Sequence, residues 1–142
     1  MHSGRDAGMG GMGFTPTSQG GTHIVEKNLT RVTIVLGIIF FADQAARDGA
    51  VAASVDLQHA TRTDEPGCLA YVFTADPVEP CAVHVYEAWT DEAALAAHFA
   101  HPNYTNMRAV LRAFPRGAAS AVEKHDAVHS EPVYDTTGTP RA

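Results

Sequence analysis

The strongest hydrophobic pattern in the chain runs from Val32 to Phe41, where β-branched and aromatic residues dominate and charged residues are absent. The segment is too short to span a membrane, and its composition is typical of a buried strand. An alanine-rich stretch follows, opened by Asp43 and extending to about Thr63, and it predicts a helix. Glu65-Pro66-Gly67 should end that helix, because the residue before proline avoids the helical conformation and glycine suits a left-handed exit.

Strand and helix patterns alternate through the rest of the chain. They predict strands over Cys68–Thr74 and Cys81–Trp89, a helix from an N-cap at Thr90 through Phe99, a helix over Asn103–Phe114, and a last strand from Ala118 to about Val133. Pro102 should break the first of these two helices. The order βαββαβ predicts an α+β fold of the ferredoxin-like type, an antiparallel sheet with its helices on one face.

The first predicted strand is apolar on both of its faces. Ile34 and Leu36 would point to one side and Val35 and Ile39 to the other. A strand that is buried on both sides needs cover on both sides, and the helices of one domain supply only one. We therefore expect two copies of the chain to pair face to face as a homodimer.

The N-terminal residues differ in composition from the rest, since residues 1–21 hold seven of the twelve glycines. Such a segment loses much backbone entropy on ordering, so residues 1–29 are interpreted as a flexible arm. Residues 30–134 then form the domain, and residues 135–142 a C-terminal tail. Gly8–Gly13 has the spacing of a dinucleotide-binding fingerprint, but no strand precedes it and no helix follows, so nucleotide binding there is not expected.

Composition excludes several classes of function. Ten Lys+Arg against sixteen Asp+Glu give 142 residues a formal charge of −6, without the basic stripe of a nucleic-acid-binding or membrane-surface protein. If the second and third predicted strands pair antiparallel, Cys68 and Cys81 lie about seven strand positions apart, roughly 23 Å at ~3.3 Å each. A disulfide needs Cα atoms within about 7 Å, so both should be free thiols, as is typical of a cytoplasmic protein.

The candidate chemistry lies on the third predicted strand. Alternation places Glu87 and Trp89 on one face, and if that face meets the helices, His98 and Tyr104 can converge with them on one cavity. Trp suits stacking on a flat ring, and His changes charge near neutral pH. A core Trp and a packed or capping His explain the same residues about as well, although a buried carboxylate two residues before Trp89 needs a reason to be there.

Two further catalytic arrangements find little support. His98-x-x-His101 places two imidazoles on one helical side, but no third ligand has a recognisable spacing, so no metal site is predicted. No serine sits in a Gly-x-Ser-x-Gly elbow, so no catalytic triad is predicted.

Three segments carry a more specific pattern. They read Thr61-Arg62-x-x-Glu65-Pro66-Gly67-Cys68-Leu69-x-Tyr71, then Asp76-Pro77, then Tyr86-Glu87-x-Trp89-x-Asp91-Glu92-x-Ala94-Leu95-x-x-His98.

Together these segments resemble the antibiotic biosynthesis monooxygenase family over roughly residues 31–134. The resemblance implies a ferredoxin-like fold whose sheets pair into a dimeric α/β barrel. It also implies oxidation of phenols, anthrones or hydroquinones by molecular oxygen without a metal or flavin cofactor. The haem-degrading branch of the family additionally uses an asparagine on the first strand, and Val32 to Phe41 contains none.

The resemblance also suggests residue roles for a small aromatic substrate. His98 would be the general base or the hydrogen-bond partner of the substrate anion, and Trp89 would stack on or bound the ring. The substrate-binding set would comprise Glu87, Tyr104, Phe99 and Tyr71. A non-catalytic dimeric barrel that binds an aromatic metabolite is the alternative, with haem binding or degradation third.

Overall fold

The fold is the predicted one. The computed structural model describes residues 31–142, so the N-terminal arm and the Gly8–Gly13 motif lie outside the described residues. Its elements are β1 (Val32–Phe40), α1 (Gln44–Asp64), β2 (Cys68–Ala75), β3 (Ala82–Trp89), α2 (Glu92–Phe99), α3 (Pro102–Arg112) and β4 (Ala121–Ala127). The strands form one antiparallel sheet in the order β2-β3-β1-β4. The α+β ferredoxin-like prediction is thus confirmed, whereas face-to-face pairing of two sheets stays a prediction.

Helix α1 begins and ends where its sequence signals predict. The Asp43 side chain accepts a hydrogen bond from the Ala46 backbone N–H at 2.8 Å, which satisfies a donor left free at the helix start. Glu65 is the C-cap, and Pro66 follows it. One face of α1 packs on the sheet, where the amide of Gln58 both donates to and accepts from the backbone of Phe73 at 3.0 Å.

Two predictions about the connection after β3 were wrong. The N-cap of α2 is Asp91 and not Thr90: the Asp91 side chain accepts from the Ala94 N–H at 2.7 Å. The Thr90 N–H instead donates to the Gly67 carbonyl at 2.9 Å. Pro102 does not break a running helix but begins α3, where a missing N–H has no cost.

The last strand is shorter than predicted. β4 ends at Ala127, which pairs with Val32, the first residue of β1. Within the described residues the ladder between β1 and β4 ends at this pair, so residues 128–133 lie outside it. The chain instead closes a small turn in which Tyr134 and Pro140 form an isolated bridge.

Register across the sheet places four inner-face residues side by side. Tyr71 on β2 pairs with Glu87 on β3, Glu87 pairs with Val35 on β1, and Val35 pairs with Lys124 on β4. This row brings a carboxyl group into the middle of the sheet, facing the helices. The predicted alternation of β3 is therefore confirmed.

Cys68 is the first residue of β2, and Cys81 lies directly before β3. Cys68 stands opposite Trp89, and an irregularity between Cys68 and Ala70 shifts the rest of β2. Both Cys68 and Cys81 are free, as predicted. Among the helices of residues 31–142, none combines the length and the apolar character that crossing a membrane requires.

Candidate active site

A cavity of about 480 Å³ lies between the inner face of the sheet and α3. Its volume is within the usual range for a small-molecule site. Tyr104, Met107, Arg108 and Leu111 line it from α3 at spacings of three and four residues, which is one face of a helix. The sheet supplies an apolar floor, which consists of Val35, Ile39, Phe73 and Val85. The end of the cavity near α2 is formed by Glu87, Tyr71 and Phe99.

Glu87 is the buried carboxyl group that lines this cavity. Glu87 is 7% exposed, and its side chain lines the cavity from the central strand β3. Burial raises the pKa of Glu87 to about 7, and the nearby carboxylate of Glu65 contributes in the same direction. A carboxyl group with such a pKa can both accept and release a proton at neutral pH.

His98 lies directly behind Glu87. Its Nε2 is 3.8 Å from the Glu87 Oε1, while its Nδ1 lies 2.8 Å and 3.1 Å from the two oxygens of Glu65. A carboxylate can only accept, so Nδ1 carries the proton and donates to Glu65. In the neutral ring, Nε2 then presents its lone pair toward Glu87.

Glu65 is itself held in place. The Asn103 side-chain amide donates to its Oε2 at 3.2 Å, so the buried carboxylate has partners on both of its oxygens. Burial lowers the pKa of His98, and the hydrogen bond to Glu65 opposes that effect. Hydrogen bonds link Asn103, Glu65 and His98, and Glu87 lies next to His98 at 3.8 Å, beyond hydrogen-bond distance. These four residues form a polar path that ends at the cavity.

An aromatic cluster surrounds the imidazole. The ring of His98 lies 4.6 Å from that of Trp89, 5.3 Å from that of Tyr71 and 5.5 Å from that of Tyr104, between centroids. The rings of Phe99 and Tyr104 are 5.1 Å apart. Burial, reinforced by the charge of Glu87, raises the pKa of Tyr71, so its hydroxyl stays protonated at neutral pH.

The structure therefore brings all six predicted site residues together, but in two layers. Glu87, Tyr71, Phe99 and Tyr104 line the cavity. Trp89 and His98, exposed by 0% and 1%, lie behind that wall and do not line it. The indole Nε1 of Trp89 is buried without a hydrogen-bond partner. Direct contact of Trp89 or His98 with a substrate stays a prediction.

Sequence analysis missed two members of the polar path and one side of the cavity. The sequence predicts Glu65 as part of a helix stop and of the family pattern but gives it no role in the site, although its carboxylate binds a histidine 33 residues away. Asn103 carries no local signal at all. Arg108, Arg112 and Arg116 also line the cavity. The four-residue spacing of Arg108 and Arg112 on α3 could have shown that these two share one side, whereas Arg116 lies beyond the helix and had no such signal.

The two histidines of the His98-x-x-His101 pair have different roles in the structure. His101 is the N-cap of α3, where its Nδ1 accepts from the Asn103 N–H at 3.0 Å. Within residues 31–142, no three or more His, Cys, Asp or Glu side chains are grouped so that they could hold a metal ion.

Comparison with known proteins agrees with this fold. Residues 33–110 match the family model for antibiotic biosynthesis monooxygenase. No curated protein sequence matches the chain significantly.

Solved structures share the fold at low sequence identity. A crystal structure from Caulobacter crescentus, assigned provisionally as an antibiotic biosynthesis monooxygenase, is 22% identical with a TM-score of 0.63, and the match covers 75% of this chain and 99% of that one. One from Deinococcus radiodurans, assigned in the same way, is 21% identical with a TM-score of 0.63 and coverage of 72% and 99%. A further antibiotic biosynthesis monooxygenase is 28% identical with a TM-score of 0.57 and coverage of 69% and 99%. The family model spans more than half of the chain, and the chain belongs to the antibiotic biosynthesis monooxygenase family.

Proposed function

We propose that this protein oxidises an electron-rich phenol, anthrone or hydroquinone with molecular oxygen and without a metal or flavin cofactor. One observation carries the proposal: the buried carboxyl group of Glu87 faces an aromatic-walled cavity from the centre of the sheet, where burial raises its pKa to about 7. Family membership supports an oxidation, and the cavity supports a flat apolar substrate.

In the proposed oxidation, the protein has to accept a proton from the substrate, because the deprotonated substrate supplies the electrons itself. Ground-state oxygen is a triplet and reacts slowly with closed-shell molecules until one electron is transferred. A phenolate or enolate can donate that electron itself, so the protein must bind the ring, remove a proton and exclude bulk water. A hydroquinone would give its quinone while oxygen is reduced to hydrogen peroxide. An anthrone methylene would become a carbonyl, and the second oxygen atom would leave as water.

The two layers of the site suggest a division of roles. Glu87 lines the cavity and would accept the substrate proton, while Tyr104 and Phe99 would hold the ring. His98 would act through Glu87 as a positioning residue, because its Nε2 lies 3.8 Å from the carboxyl oxygen and its other nitrogen is fixed by Glu65. Trp89 would support the imidazole from behind at 4.6 Å.

The proposed unit is a homodimer that pairs the outer faces of two sheets. On that face the large apolar side chains of Leu36 and Tyr86 are 47% and 43% exposed. They are register partners, so they form one continuous apolar surface. Burial of such a surface against a second copy would remove it from water. We place the protein in the cytoplasm, where thiols such as Cys68 and Cys81 stay reduced.

The test is oxygen uptake with a panel of anthrones, naphthols and hydroquinones, corrected for spontaneous oxidation. Wild-type protein should accelerate uptake of at least one compound. Its rate should rise with pH through about 7, because Glu87 must be ionised to accept a proton. Glu87→Gln should lower the rate by about 10²-fold or more, the usual contribution of a general base, and should abolish this pH dependence.

Two histidine variants separate positioning from general damage. His98→Ala should lower the rate and shift the pH profile, because the group behind Glu87 is lost. His129→Ala removes an imidazole that is 77% exposed and does not line the cavity, so its rate and profile should match the wild type. Uptake that is absent for every compound would reject the oxidase and favour a binding protein. Full activity in Glu87→Gln would reject the role of Glu87.

A further inference from the structure

One side of the cavity is strongly basic, and the proposed oxidation does not use it. Arg108, Arg112 and Arg116 recur every four residues at the end of α3 and just beyond it, and all three line the cavity. Lys124 lines it from β4. This concentration of positive charge is unusual in a chain whose formal charge is −6.

The arginines have few partners of their own. Arg108 donates to the Tyr104 hydroxyl at 3.2 Å, and Arg116 lies over the Phe41 ring at 4.9 Å and donates to the Ser120 hydroxyl at 3.4 Å. None of the three forms an ion pair with a carboxylate of residues 31–142. The charge of Arg112 also lowers the pKa of Arg116, in addition to the effect of partial burial. The two guanidinium groups therefore repel each other.

The other charged groups of the lining do not neutralise them. Lys124 is paired with Glu92 at 2.8 Å, and Glu123 lies 3.7 Å from His125. Glu87 is buried at the α2 end of the cavity and is partly protonated at neutral pH.

Helix stability explains only part of this cluster. A basic residue in the last turn of a helix interacts favourably with the helix dipole, which accounts for Arg112. That effect does not account for Arg116, which lies beyond the end of α3. It also does not explain why these unpaired charges line a cavity whose floor is apolar.

We infer that Arg112 and Arg116, with Arg108 beside them, form a subsite for a carboxylate on the substrate. The planar guanidinium fork matches a carboxylate and can bind both of its oxygens. Resting on the proposed function, this makes the substrate an aromatic acid whose hydroxylated end lies at Glu87. The ring of Tyr104 lies beside that of Phe99, at the same end of the cavity as Glu87. Tyr104 and Arg112 are eight residues apart on α3, about 12 Å along the axis, so a bicyclic or tricyclic acid matches the span.

The test is equilibrium binding of 6-hydroxy-2-naphthoate and of its methyl ester, measured by calorimetry. This acid carries its hydroxyl and its carboxylate at opposite ends of a bicyclic ring, and the ester differs from it mainly in charge. Wild-type protein should bind the acid at least ~10-fold more tightly than the ester, as expected for a charge-assisted contact that is discounted for exposure. Added salt should reduce that preference, because the arginines are accessible to solvent.

The matched variants are Arg112→Gln/Arg116→Gln and Arg141→Gln. The double variant should bind acid and ester about equally, while Arg141→Gln, which removes a positive charge outside the cavity lining, should keep the wild-type preference. Urea midpoints of all variants confirm that each is folded.

Equal binding of acid and ester by the wild type would overturn the inference, as would a preference that persists in the double variant. Failure of both compounds to bind would also overturn it, because the cavity would then not accept a bicyclic aromatic acid. The assay involves no turnover, so the two proposals can fail separately. A wild type that prefers the acid through these arginines but consumes no oxygen keeps the subsite and rejects the oxidase. Oxygen uptake with neutral hydroquinones, together with equal binding of acid and ester, would keep the oxidase and reject the subsite.

Discussion

Replacing the buried carboxyl group of Glu87 should make the protein more stable at neutral and alkaline pH. The structure holds this side chain in an apolar wall, with the carboxylate of Glu65 nearby, so the ionised form is disfavoured after folding. Glu87→Gln keeps the shape and polarity of the side chain but removes its charge. The variant therefore isolates the free-energy cost of ionising Glu87 in place.

The magnitude and its sign follow from proton linkage. The pKa of Glu87 rises from 4.5 in the unfolded chain to about 7 in the folded protein. Between these values the folded state holds a proton that the unfolded state has released, so the free energy of unfolding falls as pH rises. At ~1.4 kcal/mol for each pKa unit, the cost reaches about 3 kcal/mol above pH 7 and then levels off. Below pH 4.5 both states are protonated and the cost vanishes.

The measurement is urea unfolding of wild type and Glu87→Gln from pH 4 to pH 9 at one protein concentration. The difference between their free energies of unfolding should grow with pH in favour of the variant and reach a plateau above pH 7. Glu131→Gln serves as control, because it removes an exposed carboxylate and reports general charge effects. A difference for Glu87→Gln that does not change with pH would refute the reasoning, as would an equal trend in the control.

Two further variants test the supports of the site and the proposed dimer. Glu65→Ala should lower the free energy of unfolding by about 2–4 kcal/mol, because it leaves the buried His98 Nδ1–H without its acceptor. Urea unfolding should show a change within ~0.5 kcal/mol for the neighbouring, exposed Asp64→Ala, and an equal loss in both would contradict the buried network. Leu36→Asp should convert a dimer into monomers in sedimentation velocity, while Val78→Asp, at an apolar residue 89% exposed in a turn, should stay dimeric. A wild type that sediments as a monomer would reject the pairing.

Local sequence signals were sufficient for most of the fold. The apolar run at β1, the cap at Asp43 and the stop at Pro66-Gly67 each act over a few residues, so the elements could be predicted with small errors at their ends. One error arose where two neighbouring residues offered the same signal. Thr90 and Asp91 can both cap a helix, and Thr90 instead donates its N–H to Gly67, which lies in the turn between α1 and β2, distant in sequence.

The sequence by itself determined the order of the elements and the placement of Glu87 and Trp89 on one face of β3, because alternation along a strand follows from covalent geometry. That this face meets the helices was decided by the tertiary structure. Only the tertiary structure decided which of these groups meets the cavity. Glu65 reaches His98 across 33 residues, and the wall of Tyr71, Glu87 and Tyr104 closes over Trp89. Contacts of this kind depend on sheet register and helix packing, which no local pattern encodes. The same packing gives Glu87 its raised pKa, since burial is a property of the folded chain and not of the residue.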